Sequence, residues 1–162
     1  MLTSYATIKE LSKLPEYNKP VKLGVVGSRF YTDYSQLESY LQFLLGKYDI
    51  RYIVSGGKRR DGKGVDTLAE VYADNNQFDK IIFPPKTKRK NGFQAFFDRN
   101  EQIANTCTIL LAVKDVITGG TADTVERTFK LGKPILWANY QNEIIWYQKL
   151  AVDNNLTASM DD

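Results

Sequence analysis

Five short apolar runs alternate along this chain with stretches in which apolar residues recur every three or four positions. The runs are Lys22 to Val26, Arg51 to Val54, Lys80 to Phe83, Thr108 to Val113 and Pro134 to Ala138. Each is too short for a helix and too continuously apolar for a half-solvated strand, which predicts strands buried on both faces. Between them Tyr34, Leu37, Tyr40, Leu41, Leu44, Leu45 and Tyr48 form one helical stripe, and Val65, Leu68, Ala69 and Tyr72 place a second helix over Val65 to Asn75. Phe93, Phe96, Phe97, Ile103 and Ala104 mark a third, ending near Asn105. Ala122, Val125 and Phe129 mark a fourth, with Gly132 at the position favoured just beyond a helix C-terminus. A last helix is predicted from Asn142 to Val152 on Ile144, Ile145, Trp146 and Leu150. A weakly helical stretch is predicted from Ile8 to Leu14.

Strand and helix alternation of this kind predicts an α/β fold. Right-handed crossovers make it a Rossmann-like, doubly wound, mainly parallel five-stranded sheet with helices on both faces. One domain over residues 21–153 is expected, preceded by an arm over 1–20 and followed by a flexible polar tail over 154–162.

Composition narrows the chemistry. The chain has 162 residues, 43% of them hydrophobic and 25% charged, with a net charge of +3. It has no histidine, which excludes Ser-His-Asp and Cys-His catalysis and imidazole metal ligands. With the single cysteine Cys107, no internal disulfide can form, and neither a metal nor a cofactor is expected. No apolar run approaches the roughly 18 residues of a membrane span, and no signal-peptide pattern opens the chain, so a cytoplasmic protein is expected.

The candidate chemistry lies where the strands end. In an open parallel sheet, ligands bind beyond the carboxyl ends of the strands. The loops predicted there hold eight of the eleven glycines: Gly27, Gly56, Gly57, Gly62, Gly64, Gly92, Gly119 and Gly120. They also hold nine of the 22 lysines and arginines: Arg29, Lys58, Arg59, Arg60, Lys63, Lys86, Lys88, Arg89 and Lys90. Glycine lets backbone amides approach an anion, and helix N-termini add partial positive charge, so phosphate is the anion expected. Asn100 interrupts the apolar stripe of the third helix with Arg99 at its border, and a buried amide there needs partners. Asp66 opens the second helix, either as a helix N-terminal charge or as an acceptor for a ligand or facing loop. Thr121 can cap the fourth helix and bond an anion.

Val26-Gly27-Ser28-Arg29, then Val54-Ser55-Gly56-Gly57 with Gly64-Val65-Asp66-Thr67-Leu68-Ala69, resembles the SLOG superfamily and, more narrowly, its stand-alone YspA/YpsA-related branch. Arg99-Asn100, Gly119-Gly120-Thr121-Ala122-Asp123 and Gly132-Lys133-Pro134 fit the same pattern, so the resemblance runs from about Lys22 to Trp137. It implies a Rossmann-like fold that binds nucleotides or nucleotide-derived molecules. Relatives include the lonely-guy phosphoribohydrolases, the single-stranded-DNA-binding DNA-processing A proteins, and sensors of bacterial and phage conflict systems. It also implies a homodimer or larger assembly. The lonely-guy motif P-G-G-x-G-T-x-x-E is not matched: the residue three after Thr121 is Thr124, and Glu126 lies two further on.

Binding of a nucleotide-derived small molecule, as a sensor, carrier or sequestering module, is therefore the leading expectation. Its contacts would be Gly27, Ser28, Arg29, Gly56, Gly57, Asp66, Arg99, Asn100, Gly119, Gly120 and Thr121. A hydrolase cleaving an N-glycosidic or phosphate bond is one alternative, with Arg99 and Asp66 or Glu126 as its chemical groups. Single-stranded nucleic-acid binding is another, with the basic loops on the backbone and Phe30, Tyr31 or Phe93 stacking on bases.

Overall fold

The computed structural model describes residues 8–10, 13–84 and 92–147, with only the backbone of 92 and 93. Lys86, Lys88, Arg89 and Lys90, the side chain of Phe93, and the expected tail all lie outside the described residues.

All five predicted strands form. In chain order the described strands are β1 (Lys9–Glu10), β2 (Val21–Gly27), β3 (Ile50–Ser55), β4 (Asp79–Ile82), β5 (Ile109–Val113), β6 (Ile135–Ala138) and β7 (Glu143–Trp146). The described helices are α1 (Tyr34–Leu45), α2 (Val65–Asn75), α3 (Gly92–Thr106) and α4 (Gly119–Lys130). The strands make one sheet in the order β1-β7-β6-β5-β2-β3-β4, parallel except where β7 runs antiparallel to β6. The architecture is therefore Rossmann-like, with the expected five strands extended by two more.

Every residue of β5 is buried, as a central strand covered on both faces requires. On one face Leu23, Val25 and Leu111 pack with Leu37, Leu41 and Leu44 of α1 and with Val65, Ala69 and Tyr72 of α2. On the other, Val26, Leu110 and Ala112 pack with Ile103 of α3 and with Ala122 and Val125 of α4. Burying each such aliphatic side chain contributes about 1.5–3 kcal/mol. Asp33 caps α1 by accepting from the Gln36 amide at 3.0 Å. Lys133 caps α3 by donating to the carbonyls of Ala104 (2.7 Å) and Asn105 (2.9 Å).

Two expectations are corrected. The segment predicted to begin a helix at Asn142 is instead strand β7 as far as Trp146, while 148–152 lie outside the described residues. A turn over Asn139–Asn142, with Asn142 at φ 60°, reverses the chain, and Ile144 then enters the core beside Ala138. Asparagine tolerates that left-handed backbone, and the β-branched, aromatic Ile-Ile-Trp run suits a strand. Likewise Lys9 and Glu10, predicted to be helical, pair parallel with Glu143 and Ile144. The β7 backbone offers them partners that an isolated turn of helix lacks.

The order of strands sets the switch point of the sheet. From β2 the chain winds outward through β3 and β4. It then returns to β5 on the other side of β2 and winds the opposite way to β6. The loops after β2 and β5 thus diverge, leaving a crevice at the carboxyl ends of two adjacent strands.

Candidate functional site

The loop after β2 is fixed from below and from the side. A methyl group on Gly27 would collide with the Val113 carbonyl and come within 2.5 Å of Val65 Cγ2, so glycine lets β2, β5 and α2 converge. The Val65 amide donates to the Ser28 carbonyl at 3.0 Å, and the Gly64 amide to the Tyr31 carbonyl at 2.8 Å. Gly64 has φ 102°, and a side chain there would be strained and press on the Arg29 backbone. Ser28 and Arg29 are thereby seated on the start of α2. The Arg29 guanidinium lies 4.9 Å from the ring centroid of Phe30, which is 67% exposed.

The loop after β3 meets α3 through charge. Buried Ser55 donates its hydroxyl to the Asp66 carbonyl at 3.2 Å. Arg99 Nη1 lies 3.5 Å from Asp66 Oδ2, with 17% of the arginine and 22% of the aspartate side chain exposed. A methyl group on Gly56 would overlap the Arg99 guanidinium and come within 2.6 Å of Asp66 Oδ2, so the pair rests against bare backbone. Arg99 Nε donates to Asn100 Oδ1 at 3.0 Å. Asn100, only 4% exposed, donates to Asp123 Oδ2 at 3.0 Å and to the Gly120 carbonyl at 3.5 Å. Arg127 Nε completes the relay by donating to the same Asp123 oxygen at 2.9 Å. The other oxygen of Asp66, Oδ1, is buried and has no hydrogen-bond partner among the described residues. Burial pushes the Asp66 carboxyl up to about 6, against the pull of the Arg99 and Arg59 charges.

The third contribution comes from the segment between β5 and α4. Thr118 precedes the helix without a side-chain cap. Lys114 Nζ donates to the Thr118 carbonyl at 3.0 Å, and burial lowers its pKa. A methyl group on Gly120 would meet nothing within 4 Å, so this chain's own packing does not require glycine there. Thr121 is buried beside it. Trp137 Nε1 holds the Lys114 carbonyl at 2.7 Å.

Of the residues singled out in the sequence, Gly56, Asp66, Arg99, Asn100 and Gly120 are joined by direct contacts. Gly119 and Thr121 flank Gly120 on the first turn of α4. Gly27, Ser28 and Arg29 stand on the neighbouring loop. Gly57 lies to the β4 side, where its missing side chain would approach Ile82 and Pro84. Glu126 is elsewhere. It pairs with Lys130 at 3.1 Å and lines an open groove of about 320 Å³ on the α3–α4 surface with Glu101, Asn105 and Arg127. The rim is also less positive than its composition suggests: Lys58 pairs with Asp74 (3.2 Å) and Arg59 with Asp61 (3.1 Å). Two residues that sequence reasoning did not single out stand at the crevice. Lys114 could have been found as the first residue after an unbroken apolar strand. Tyr140 could not, because its turn was hidden inside a predicted strand–helix connection. Among the described residues, no helix is long and apolar enough to cross a membrane.

No protein-family model and no curated protein matches the chain. Among solved structures, the fold is similar to that of DNA processing protein A (DprA) from Streptococcus pneumoniae, with a TM-score of 0.54 and 24% sequence identity. The likeness covers 72% of this chain and 49% of that one, so the chain spans about half the length of its structural neighbour. It shows that the two chains share a Rossmann-like fold and does not extend to the YspA/YpsA-related branch.

Proposed function

We propose that this protein binds a nucleotide or a nucleotide-derived, phosphate-bearing small molecule at the carboxyl edge of the sheet, between the loops after β2, β3 and β5. The observation that carries this reading is Asp66 Oδ1, a buried acceptor with no partner beside an arginine. Such a group costs about 1–3 kcal/mol unless a donor reaches it. A ribose hydroxyl or a base amino group supplies one. Arg99 offers charge next to it, and the first turn of α4 with Lys114 offers backbone amides and charge for a phosphate. Ser28 and Arg29 border the same space. On this reading Gly27 and Gly56 serve the site by letting its walls approach, and Gly119, Gly120 and Thr121 face the ligand. Calorimetric titration with adenine and guanine nucleotides, cyclic dinucleotides and ADP-ribose should give one ligand per chain for at least one of them. No heat from any, with folded protein, rejects the reading.

One observation favours a second reading. Phe30, Phe96 and Phe97 are exposed aromatics, each stacked with an arginine: Arg29, Arg99 and Arg127. Such pairs suit single-stranded nucleic acid, and the structural neighbour is by name a DNA processing protein. Oligonucleotide binding that weakens steeply between 50 and about 200 mM salt would support it, and a salt-insensitive or absent shift removes it. For the hydrolase reading the acid or base would be Asp66 beside Arg99, since Glu126 is turned to the α3–α4 surface and paired with Lys130.

A further inference from the structure

We propose that Tyr140 is the stacking wall of the crevice, against which the planar base of the bound nucleotide lies. This rests on the nucleotide reading above and assigns a role within it to a residue outside the predicted site. The Tyr140 ring packs against Tyr31, with centroids 5.4 Å apart and planes tilted by 35°, yet 37% of the residue remains exposed. Its hydroxyl faces the Ser28 side chain and the Asp115 backbone, so the side chain reaches from the β6–β7 turn back to the loops after β5 and β2. It therefore crosses the switch-point crevice itself.

The turn that carries it is held by bonds from several directions. The Tyr140 amide donates to Asp115 Oδ1 at 3.2 Å, and Gln36 Nε2 of α1 donates to the Tyr140 carbonyl at 2.9 Å and to Asn142 Oδ1 at 3.1 Å. The buried Tyr40 hydroxyl donates to the Asn139 carbonyl. Asn139 Oδ1 accepts from the amides of Gln141 (2.9 Å) and Glu143 (3.3 Å). A ring held this way loses little freedom when a ligand stacks on it.

Charge decides which part of the nucleotide belongs there. Burial and the Asp115 carboxylate hold the phenol in its neutral form, and that carboxylate repels a phosphate. Of the cations bordering the crevice, Lys114 lies at the α4 side, Arg99 pairs with Asp66 and Arg29 lies over the Phe30 ring. The uncharged, flat part of the ligand thus fits Tyr140 and the anionic part fits Lys114.

The test titrates AMP, GMP and ribose 5-phosphate into the wild type, Tyr140→Phe and Tyr140→Leu, read by calorimetry and by the fluorescence of Trp137, which bonds the Lys114 carbonyl. Y140L should bind the better nucleotide about tenfold more weakly or worse while keeping its affinity for ribose 5-phosphate. Y140F, which loses only the hydroxyl, should weaken it by no more than about threefold by the same scale. Upfield ring-current shifts of the base protons on binding to wild type test stacking without relying on a variant's stability. Y140L binding the nucleotide like wild type, losing all ligands equally, or a wild type that binds ribose 5-phosphate as tightly as the nucleotides would overturn the inference while leaving the site intact. A wild type that binds none of the three overturns this inference, and the nucleotide reading falls with it only if cyclic dinucleotides and ADP-ribose give no heat either.

Discussion

Arg99 and Asp66 face each other at 3.5 Å across a backbone that has no side chain, because Gly56 lies beneath them. The two residues come from different helices, α3 and α2, so this contact ties the helix layers on opposite faces of the sheet at the carboxyl edge.

Gly56→Ala should separate site geometry from stability. The added methyl meets the movable ends of two side chains, so they shift and the fold loses less than about 1 kcal/mol, while the Arg99–Asp66 pair opens. Gly27→Ala meets the Val113 carbonyl and the packed Val65 side chain, and should cost about 1–3 kcal/mol or more. Urea unfolding of both variants, set beside their nucleotide affinities, checks the contrast.

Asp66 should make stability fall as pH rises. Its carboxyl is raised from an ordinary 3.8 to about 6, so the folded protein holds the proton more tightly than the unfolded chain. Below pH 3.8 both states are protonated and there is no penalty. The penalty grows up to about pH 6 and then stays near 3 kcal/mol. Asp66→Asn removes the charge, so the variant should gain on wild type across that window. Urea midpoints of the two proteins at pH 4 and pH 7 measure the difference, and parallel midpoints would contradict the buried charge.

Asn100 is the junction of the relay. Asn100→Ala leaves Arg99 Nε and Asp123 each short of a partner and should cost about 1–3 kcal/mol. Asn100→Asp should cost more at neutral pH and recover in acid, since it sets a second carboxylate against Asp123 in a buried place. Thermal melts of both variants at pH 4.5 and pH 7.5 test the order.

Glu126→Ala should be silent. Its exposed i,i+4 pair with Lys130 is worth a few tenths of a kcal/mol, and it lies away from the crevice. A loss of nucleotide affinity, or of any glycosidic cleavage that nucleoside monophosphates reveal, would restore it to the site.

The layered fold was legible because buried parallel strands and amphipathic helices have different periods. Helix α2 begins and ends where its stripe predicts, at Val65 and Asn75. Strand β7 was not legible, since Ile144, Ile145, Trp146 and Leu150 also fit a helical stripe. What decides the matter is the tertiary partner β6, which no local pattern contains. At the site, Asn100 was readable as a polar break in an apolar stripe, but its partners Gly120 and Asp123 were not, because helix-to-helix contacts have no local signature. The cation count misled because it left out Asp61, which lies in the same loop and pairs with Arg59, and because Asp74 of α2, which pairs with Lys58, carries no signal in the loop composition.

The bonds from Gln36 and Tyr40 to the turn at Asn139–Asn142 join residues 99 to 106 positions apart. Contacts that distant close late, after the local helices have formed. During synthesis, then, the ribosome must release residues near 140 before this turn can dock on α1. If the proposed nucleotide lies against Tyr140, undocking of that turn alone would release it while the central strands stay paired, by a local opening rather than by global unfolding.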